Sequence, residues 1–465
     1  MTPGLKVGDL CLSTLHTAVE HYFPRLKEDF QGINDFRQQG KVKYGSGIMM
    51  WLGVMERVAG FKSNNEYEIA LQTSTETENN LSCFLAASVD ELPSIDGFCY
   101  FFQHLPTVEL HKIIGKMFRA LERKKFLKRL MTKDGYLLLA IDGVQTISTK
   151  REIEHSVNRK HKDSPKTYHQ YFLEAKIVSA NGFVISLDTE FIENPTEEFD
   201  KQDCEHKAAI RLLERIGREH PHLKFWILGD ALYCNSVIMD ICNGHKWKFS
   251  FTFKGKTKYP KLLEEINAEY NFSQRINHCR RRLKKSKNAE LYVELRWCNN
   301  LEYDLGKNGE RSINYLEAKV IKVKNGVESE VTTFAFLVSE ASCEANALRK
   351  FMHCRNRWKI ENEGFNFQKN NILHIGHNFS SVGHAGQNFY LLAQIAHTII
   401  QLAGLTDIAG QVRRQISGEI DQLSQSLKTI FRTFGVIAQR IKVELLEKVF
   451  KPPLIIPMRI RLKSA

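Results

Sequence analysis

The chain has 465 residues, 43% hydrophobic and 26% charged, which excludes wholesale disorder because that much apolar surface can offset chain entropy. Its 28 Gly and 11 Pro are not periodic, so collagen-like and low-complexity architectures are excluded as well. Lys and Arg number 66 against 53 Asp and Glu, a net charge of +13 that favours nucleic acid as a partner, since neutralised phosphates release counterions.

In chain order, residues 1–130 read as a mainly helical region suited to DNA binding. Thr107 to Leu130 places Leu110, Ile113, Ile114, Met117, Phe118 and Leu121 at helical spacing and ends in Lys124, Lys125, Lys128 and Arg129. That basic end suits either a solvated helix terminus or a phosphate-facing surface. The period then changes. Tyr136 to Ile141 is an apolar run with the form of a buried strand, ending in Asp142-Gly143. Tyr171 to Ser179 and Phe183 to Phe191 flank Asn181-Gly182, which predicts a hairpin because both turn residues need positive φ. An amphipathic helix over Asp200 to Arg218 follows, then a buried strand over Leu223 to Leu228 that ends in Gly229-Asp230. A helix near Ser236 to Cys242 and a strand over Trp247 to Phe253 complete the pattern.

The order over 131–253 is therefore βββαβαβ, an α/β arrangement. A right-handed crossover would lay the Asp230 strand beside the Asp142 strand, with both carboxylates at one edge of the sheet. Residues 254–345 form a β-rich insertion holding the densest basic cluster: Arg275, Arg280, Arg281, Arg282, Lys284, Lys285 and Lys287. Residues 346–405 resume the core. Their apolar run Phe389 to Leu405 is broken by Gln394, His397 and Gln401, so a buried helix is expected there and no membrane span. Residues 406–465 are expected to be a helical C-terminal region with a Pro-rich basic tail from Lys451. Ten scattered cysteines without a CxxC pair and an N-terminus without a signal-peptide layout fit the reducing cytoplasm.

A carboxylate ending a buried strand is costly unless compensated, and a divalent metal is one compensation; a turn or helix cap is the other common use. Two such carboxylates and a third from a helix could hold two Mg²⁺ for phosphodiester chemistry. Arg355 to Lys369 supplies the third: Arg357, Glu361 and Phe365 recur every four residues, with Lys369 two turns further, while Glu363 points to another side. Gly143 and Gly229 beside the carboxylates permit close backbone approach. Asp188, Glu190 and Glu193 are other acidic candidates, the first two read as surface residues of an outer hairpin strand. Trp297 is a candidate for stacking on a flipped base, against buried sheet packing. Cys204 and His206, and the trio His155, His161 and His169, lack zinc-site spacing.

The segment Arg357-Trp358-Lys359-Ile360-Glu361 resembles the third-carboxylate block of bacterial insertion-sequence DDE transposases, in the group with a Tyr-Arg-Glu-Lys signature. LLAIDG at Asp142, FVISLDTEFIENP from Phe183, KQDCE from Lys201 and LGDALY at Asp230 are similar to the rest of that catalytic domain, and FRQQGKVKY to its N-terminal region. The resemblance implies a ribonuclease H-like core with Asp142, Asp230 and Glu361 as a catalytic triad binding two Mg²⁺, Mn²⁺ being a workable substitute. It implies an enzyme that cuts transposon ends and joins the 3′-OH to target DNA, acting as a homodimer on double-stranded DNA in the bacterial cytoplasm at the nucleoid. Arg357 falls on the signature Arg. Cys354 stands where the signature has Tyr, and Gln368 where it has Lys, with Lys369 one place later. Arg357, Lys369, Arg280, Arg281, Arg282 and Trp297 are the expected DNA contacts. A nuclease of the same fold without strand transfer, and a non-catalytic DNA-binding derivative, are the alternatives.

Overall fold

The computed structural model describes residues 11–38, 40–159, 165–194, 203–272, 277–285, 289–304, 309–404 and 427–450. Asp200, Arg275, Lys287, His161 and the tail from Lys451 lie outside them. The N-terminal part comprises α1 (Cys11–Tyr22), α2 (Leu26–Gln31), α3 (Ser46–Val58), α4 (Asn64–Thr73), α5 (Thr77–Leu85), α6 (Ile95–His104) and α7 (Thr107–Arg123). Side-chain oxygens start several of these helices. The Ser63 hydroxyl accepts from Glu66 N at 3.1 Å before α4, and that of Ser94 from Gly97 N at 3.3 Å before α6.

Helix α7 buries Leu110, Ile113, Ile114, Met117, Phe118 and Leu121, the expected stripe. It stops at Arg123 and does not run to Leu130. The chain passes through Lys125 at φ +58°, which turns Phe126, Leu127 and Leu130 back into the core; a continuous helix would have left that apolar trio misdirected.

One mixed sheet of ten strands organises the described residues. Its first part holds β1 (Leu137–Thr149), β2 (Val157–Arg159), β3 (Thr167–Val178) and β4 (Val184–Ile192). After α8 (Glu205–Glu219) come β5 (Phe225–Gly229), α9 (Ser236–Gly244) and β6 (Lys248–Thr252). Strand β3 lies antiparallel to β1 on one side and to β4 and the short β2 on the other. On its other side β1 pairs in parallel with β5, and β5 in parallel with β6.

The β-rich segment does not build a separate sheet. After the short α10 (Gly255–Lys258) and α11 (Pro260–Phe272), β7 (His278–Lys285), β8 (Glu290–Asp304), β9 (Glu310–Lys324) and β10 (Val327–Val338) form an antiparallel meander. Its last strand pairs with β6, Val338 opposite Ser250, so the meander extends the sheet edge to edge. A second small core, including Val293, Leu295, Trp297, Leu316 and Phe336, packs it against α12 (Ala347–Arg355) through Phe351 and Cys354.

A π-helical segment (Ile360–Asn366) and α13 (Phe367–Asn370) lead to α14 (Ala385–Ala403), which is buried almost throughout. Among the described residues no helix is long and apolar enough to cross a membrane. Helix α14 packs on α1, α3, α6, α7 and β4. A Cβ on Gly53 of α3 would stand 2.8 Å from Leu392 Cδ1, so glycine there allows the close crossing of α3 and α14. Helix α15 (Leu427–Glu447) closes the bundle: the Glu444 carboxylate accepts from Cys11 N at 3.0 Å and Leu12 N at 2.6 Å, capping α1.

Beneath the π-helical segment lies a buried charge pair. Lys176 Nζ stands 3.0 Å from Glu174 Oε2, both side chains fully buried, and donates to Gln394 Oε1 at 2.5 Å. Glu174 also accepts from Ser186 at 2.8 Å and Thr189 at 2.6 Å. Removing one partner of such a pair strands the other charge. Lys176→Ala is therefore expected to cost roughly 3–5 kcal/mol, and Lys176→Met combined with Glu174→Gln much less; denaturant midpoints of the two variants measure the difference.

Candidate active site

The apolar run Leu137–Ile141 is buried between β3 and β5, and Asp142 is the first polar residue beyond it. The parallel register runs from Leu137 opposite Phe225 to Ala140 opposite Leu228. Asp142 lies two residues beyond the last paired residue Ala140, and Asp230 one residue past the end of β5, so the two carboxylates follow the same ends of neighbouring strands. Asp230 Oδ1 accepts from Leu232 N at 2.7 Å, a tight turn that ends β5.

Glu361 reaches this point from the helical side through Arg357. The guanidinium Nη1 lies 2.8 Å from Glu361 Oε1 and 3.4 Å from Asp142 Oδ2. Arg357 is buried, and its Nε has no hydrogen-bond partner among the described residues. Burial, first, then the charges of Glu361, Glu205 and Asp230 push the Asp142 carboxyl up to about 7, against the pull of Arg357. So the structure joins Asp142 and Glu361 through Arg357, with Asp230 near enough for its charge to act on Asp142. It also adds Glu205, at the first position of α8, a residue without a role in the sequence reading although it closes the KQDCE segment.

The path from Arg355 to Lys369 is not one continuous α-helix. Helix α12 ends at Arg355, a turn carries Arg357, and Ile360–Asn366 winds as a π-helix. Such a turn, hydrogen-bonded i→i+5, advances only about 80° per residue against about 100° in an α-helix. Its effect is to change which residues share a side. Lys369 falls within roughly 20° of Glu361, the direction that a residue seven places on would take in a regular α-helix. Gln368 turns inward and is fully buried, donating to Gln394 Oε1 at 2.7 Å and His397 Nδ1 at 3.0 Å. Because Gln394 also takes the Lys176 ammonium, a lysine at 368 would bring a second ammonium to the same acceptor. Lys369 is half-buried, which lowers its ammonium from the ordinary value. Glu363 pairs with Lys359 at 2.9 Å, apart from the Arg357 pair. Cys354, at the signature Tyr position, is buried in the second core.

Other expected contacts fall elsewhere. Trp297 is only 6% exposed and packs in the second core, so it is a structural residue and not a free stacking surface. The exposed tryptophan is Trp358, 47% accessible, with the Arg357 guanidinium 5.5 Å from its ring. Arg280, Arg281 and Arg282 lie on β7, the far edge strand, six strands from β1 or about 29 Å along the sheet. Each has a carboxylate partner: Glu294 and Glu328 for Arg280, Glu344 for Arg281, Glu290 for Arg282. Asp188 and Glu190 are not free surface residues. Asp188 pairs with Arg215 at 2.6 Å and His111 at 3.4 Å, and Glu190 with Arg211 and Arg215 at 2.5 Å each. These residues line a cavity of about 790 Å³ between α7, β4 and α8, away from Asp142, in which these acids and bases neutralise one another. Glu193 accepts from Gln387 Nε2 at 2.8 Å and pairs with His155 at 2.9 Å.

The oxygen donors of Asp142, Asp230 and Glu361 suit a hard divalent cation, and a cation there would relieve the mutual repulsion that raises Asp142. Among the described residues, however, no three acidic, histidine or cysteine side chains are gathered closely enough to hold an ion as they stand; Arg357 occupies the space between two of them. Neither a protein-family model nor a curated protein matches the chain.

An acid whose carboxyl is raised by folding stabilises the folded state while protonated, below its ordinary value near 4, and that contribution is lost as pH rises through 7. Without divalent cations, Asp142→Asn should therefore melt above the parent chain at about pH 8 and alongside it at about pH 5. Thermal melts at the two pH values test this; an equal offset at both would mean that Asp142 does not carry the raised proton affinity.

Proposed function

We propose that the chain is a DDE-type DNA transposase, with Asp142, Asp230 and Glu361 as its catalytic triad on a ribonuclease H-like core. The observation that carries the reading is that Asp142 and Asp230 follow adjacent parallel strands and that Glu361, from a distant helical segment, is joined to Asp142 through Arg357. The order β4-β3-β1-β5-β6, a hairpin antiparallel to β1 with two parallel strands beyond it, supports that core. The charge of +13 supports a DNA partner, double-stranded transposon ends and target, bound by a homodimer in the bacterial cytoplasm.

Asp142, Asp230 and Glu361 would be the residues that hold two Mg²⁺ ions; Mn²⁺ has the same oxygen preference. When bound, the ions would activate the attacking oxygen and neutralise the leaving one. In the first step water attacks phosphorus at the element's end, and the P–O3′ bond breaks to leave a 3′-OH. That hydroxyl then attacks a target phosphodiester and displaces a second 3′ oxygen. Arg357, beside Asp142 and Glu361, would turn its planar guanidinium to a phosphate of the scissile strand, and Lys369 stands on the same side as Glu361. Trp358 is the exposed aromatic beside them.

Asp142→Ala, Asp230→Ala and Glu361→Ala should each lose detectable Mg²⁺-dependent cleavage of element ends while DNA binding, read by gel shift, persists. Near-normal cleavage by any one of them removes that residue from the triad. A strand-joining assay separates a transposase from a nuclease of the same fold, which would cut without joining, and from a non-catalytic derivative, which would do neither. Arg357→Lys keeps charge but loses the fork, so cleavage at saturating DNA should fall on the order of 100-fold with the melting temperature little changed. Normal cleavage with a lowered melting temperature would make Arg357 a helix-steadying residue only.

A further inference from the structure

Gly143 follows Asp142 and Gly229 precedes Asp230, and each lies under a side chain that crosses it. A Cβ on Gly143 would stand 2.6 Å from Glu205 Oε2 and 3.0 Å from Oε1; one on Gly229 would stand 2.8 Å from Tyr233 Cδ2. The two covering side chains meet, since the Tyr233 hydroxyl donates to Glu205 Oε1. Tyr233 is buried, and its backbone N donates to Asp230 O at 3.3 Å. Glu205 opens α8, where its negative charge is favoured by the helix dipole. A carboxylate and a phenol thus span the ends of β1 and β5 at the two positions that flank the triad aspartates, and both glycines leave room for them.

We propose that Glu205, held by Tyr233, is a positioning residue that fixes the distance between Asp142 and Asp230. The inference rests on the triad reading given above. The clamp acts by shape and by two hydrogen bonds: Tyr233 anchors the turn after Asp230, the Gly143 backbone N–H after Asp142 donates to the Glu205 carboxylate, and the bond from Tyr233 to Glu205 closes the span. An amide in place of the Glu205 carboxylate still accepts from the Tyr233 hydroxyl, so charge is not required for this role.

The test uses the full chain, with Mn²⁺ alone as the probe in calorimetry without DNA and Mg²⁺-dependent strand cleavage as the second readout. Glu205→Ala and Tyr233→Phe should each weaken Mn²⁺ binding about ten-fold or more, as loss of a residue that orients a metal ligand does. Both should raise the Mg²⁺ concentration for half-maximal cleavage, with KM for DNA unchanged. The double variant should be no worse than either single one, because both remove one shared contact. Glu205→Gln should restore most of the binding and cleavage. Tyr233→Phe, which removes one oxygen and no packing, keeps the test decisive if Glu205→Ala is poorly folded. The proposal is overturned if Glu205→Gln is as impaired as Glu205→Ala, which would make the charge itself the requirement. It is also overturned if Glu205→Ala and Tyr233→Phe bind Mn²⁺ and cleave normally. Asp142→Asn separates the two levels of failure: normal Mn²⁺ binding and cleavage in that variant would sink the triad reading, whereas loss there with normal Glu205→Ala would sink the clamp alone.

Discussion

The end of β1 is where negative charge is concentrated beyond what the fold can leave uncompensated. Asp142 faces Glu361, Glu205 and Asp230 with one buried cation, Arg357, placed to answer them. Burial makes the charges of Asp142 and Glu205 more costly than they would be in water, and it strengthens the pair of Asp142 with Arg357. Four acidic side chains against one guanidinium leave the site electron-rich, with a standing demand for further positive charge. The guanidinium reaches Asp142 and Glu361 together because the π-helical segment that carries Glu361 packs against β1.

Much of this arrangement was legible in the sequence, because it follows from short-range rules. The apolar run before Asp142, the Asn181-Gly182 turn and the run before Gly229-Asp230 each encode a buried strand or a hairpin. The crossover rule then puts β1 beside β5, and the observed pairing is parallel. Glu205 was not legible, since a first-turn glutamate is ordinary dipole chemistry and its meeting with Tyr233 depends on a long-range packing of α8 against the turn after β5. The burial of Trp297 and the pairing of Arg280, Arg281 and Arg282 with glutamates were equally hidden. An alternating strand pattern fixes which residues share a face, but not what covers that face. Here α12 covers one side of the meander, and Glu290, Glu294, Glu328 and Glu344 from three other segments meet the arginines.

The paired arginines also explain why the densest basic run is a poor guide to the site. On an edge strand, charged side chains discourage pairing with a second sheet, and a row of arginines answered by glutamates does this without a large net field. The cations that matter to the carboxylates are few and come from the helix: Arg357, whose charge is shared between two acids, and Lys369, brought to the same side by winding.

That winding ties the site to the core. A regular α-helix from Arg357 onward would have turned position 368 toward Glu361 and position 369 about 80° away from it. The slower advance of the π-helical turn brings position 369 toward Glu361 and turns position 368 inward, where the interior receives it: Gln368 meets Gln394 and His397, and Gln394 in turn holds the Lys176 ammonium against Glu174. Burial, with the Lys176 charge adding to it, drives the His397 ring well below its ordinary value, so the ring stays neutral and one nitrogen is free to accept from Gln368. Gly364 lets this turn sit directly on β4, where a Cβ would stand 3.3 Å from Val184 Cγ1. The position of Glu361 is thus set from beneath by a polar network that never touches it, while its own side chain, 41% exposed, is left open toward solvent. The backbone under Glu361 is held by the core, while one carboxylate oxygen is held by Arg357 and the side chain still reaches solvent.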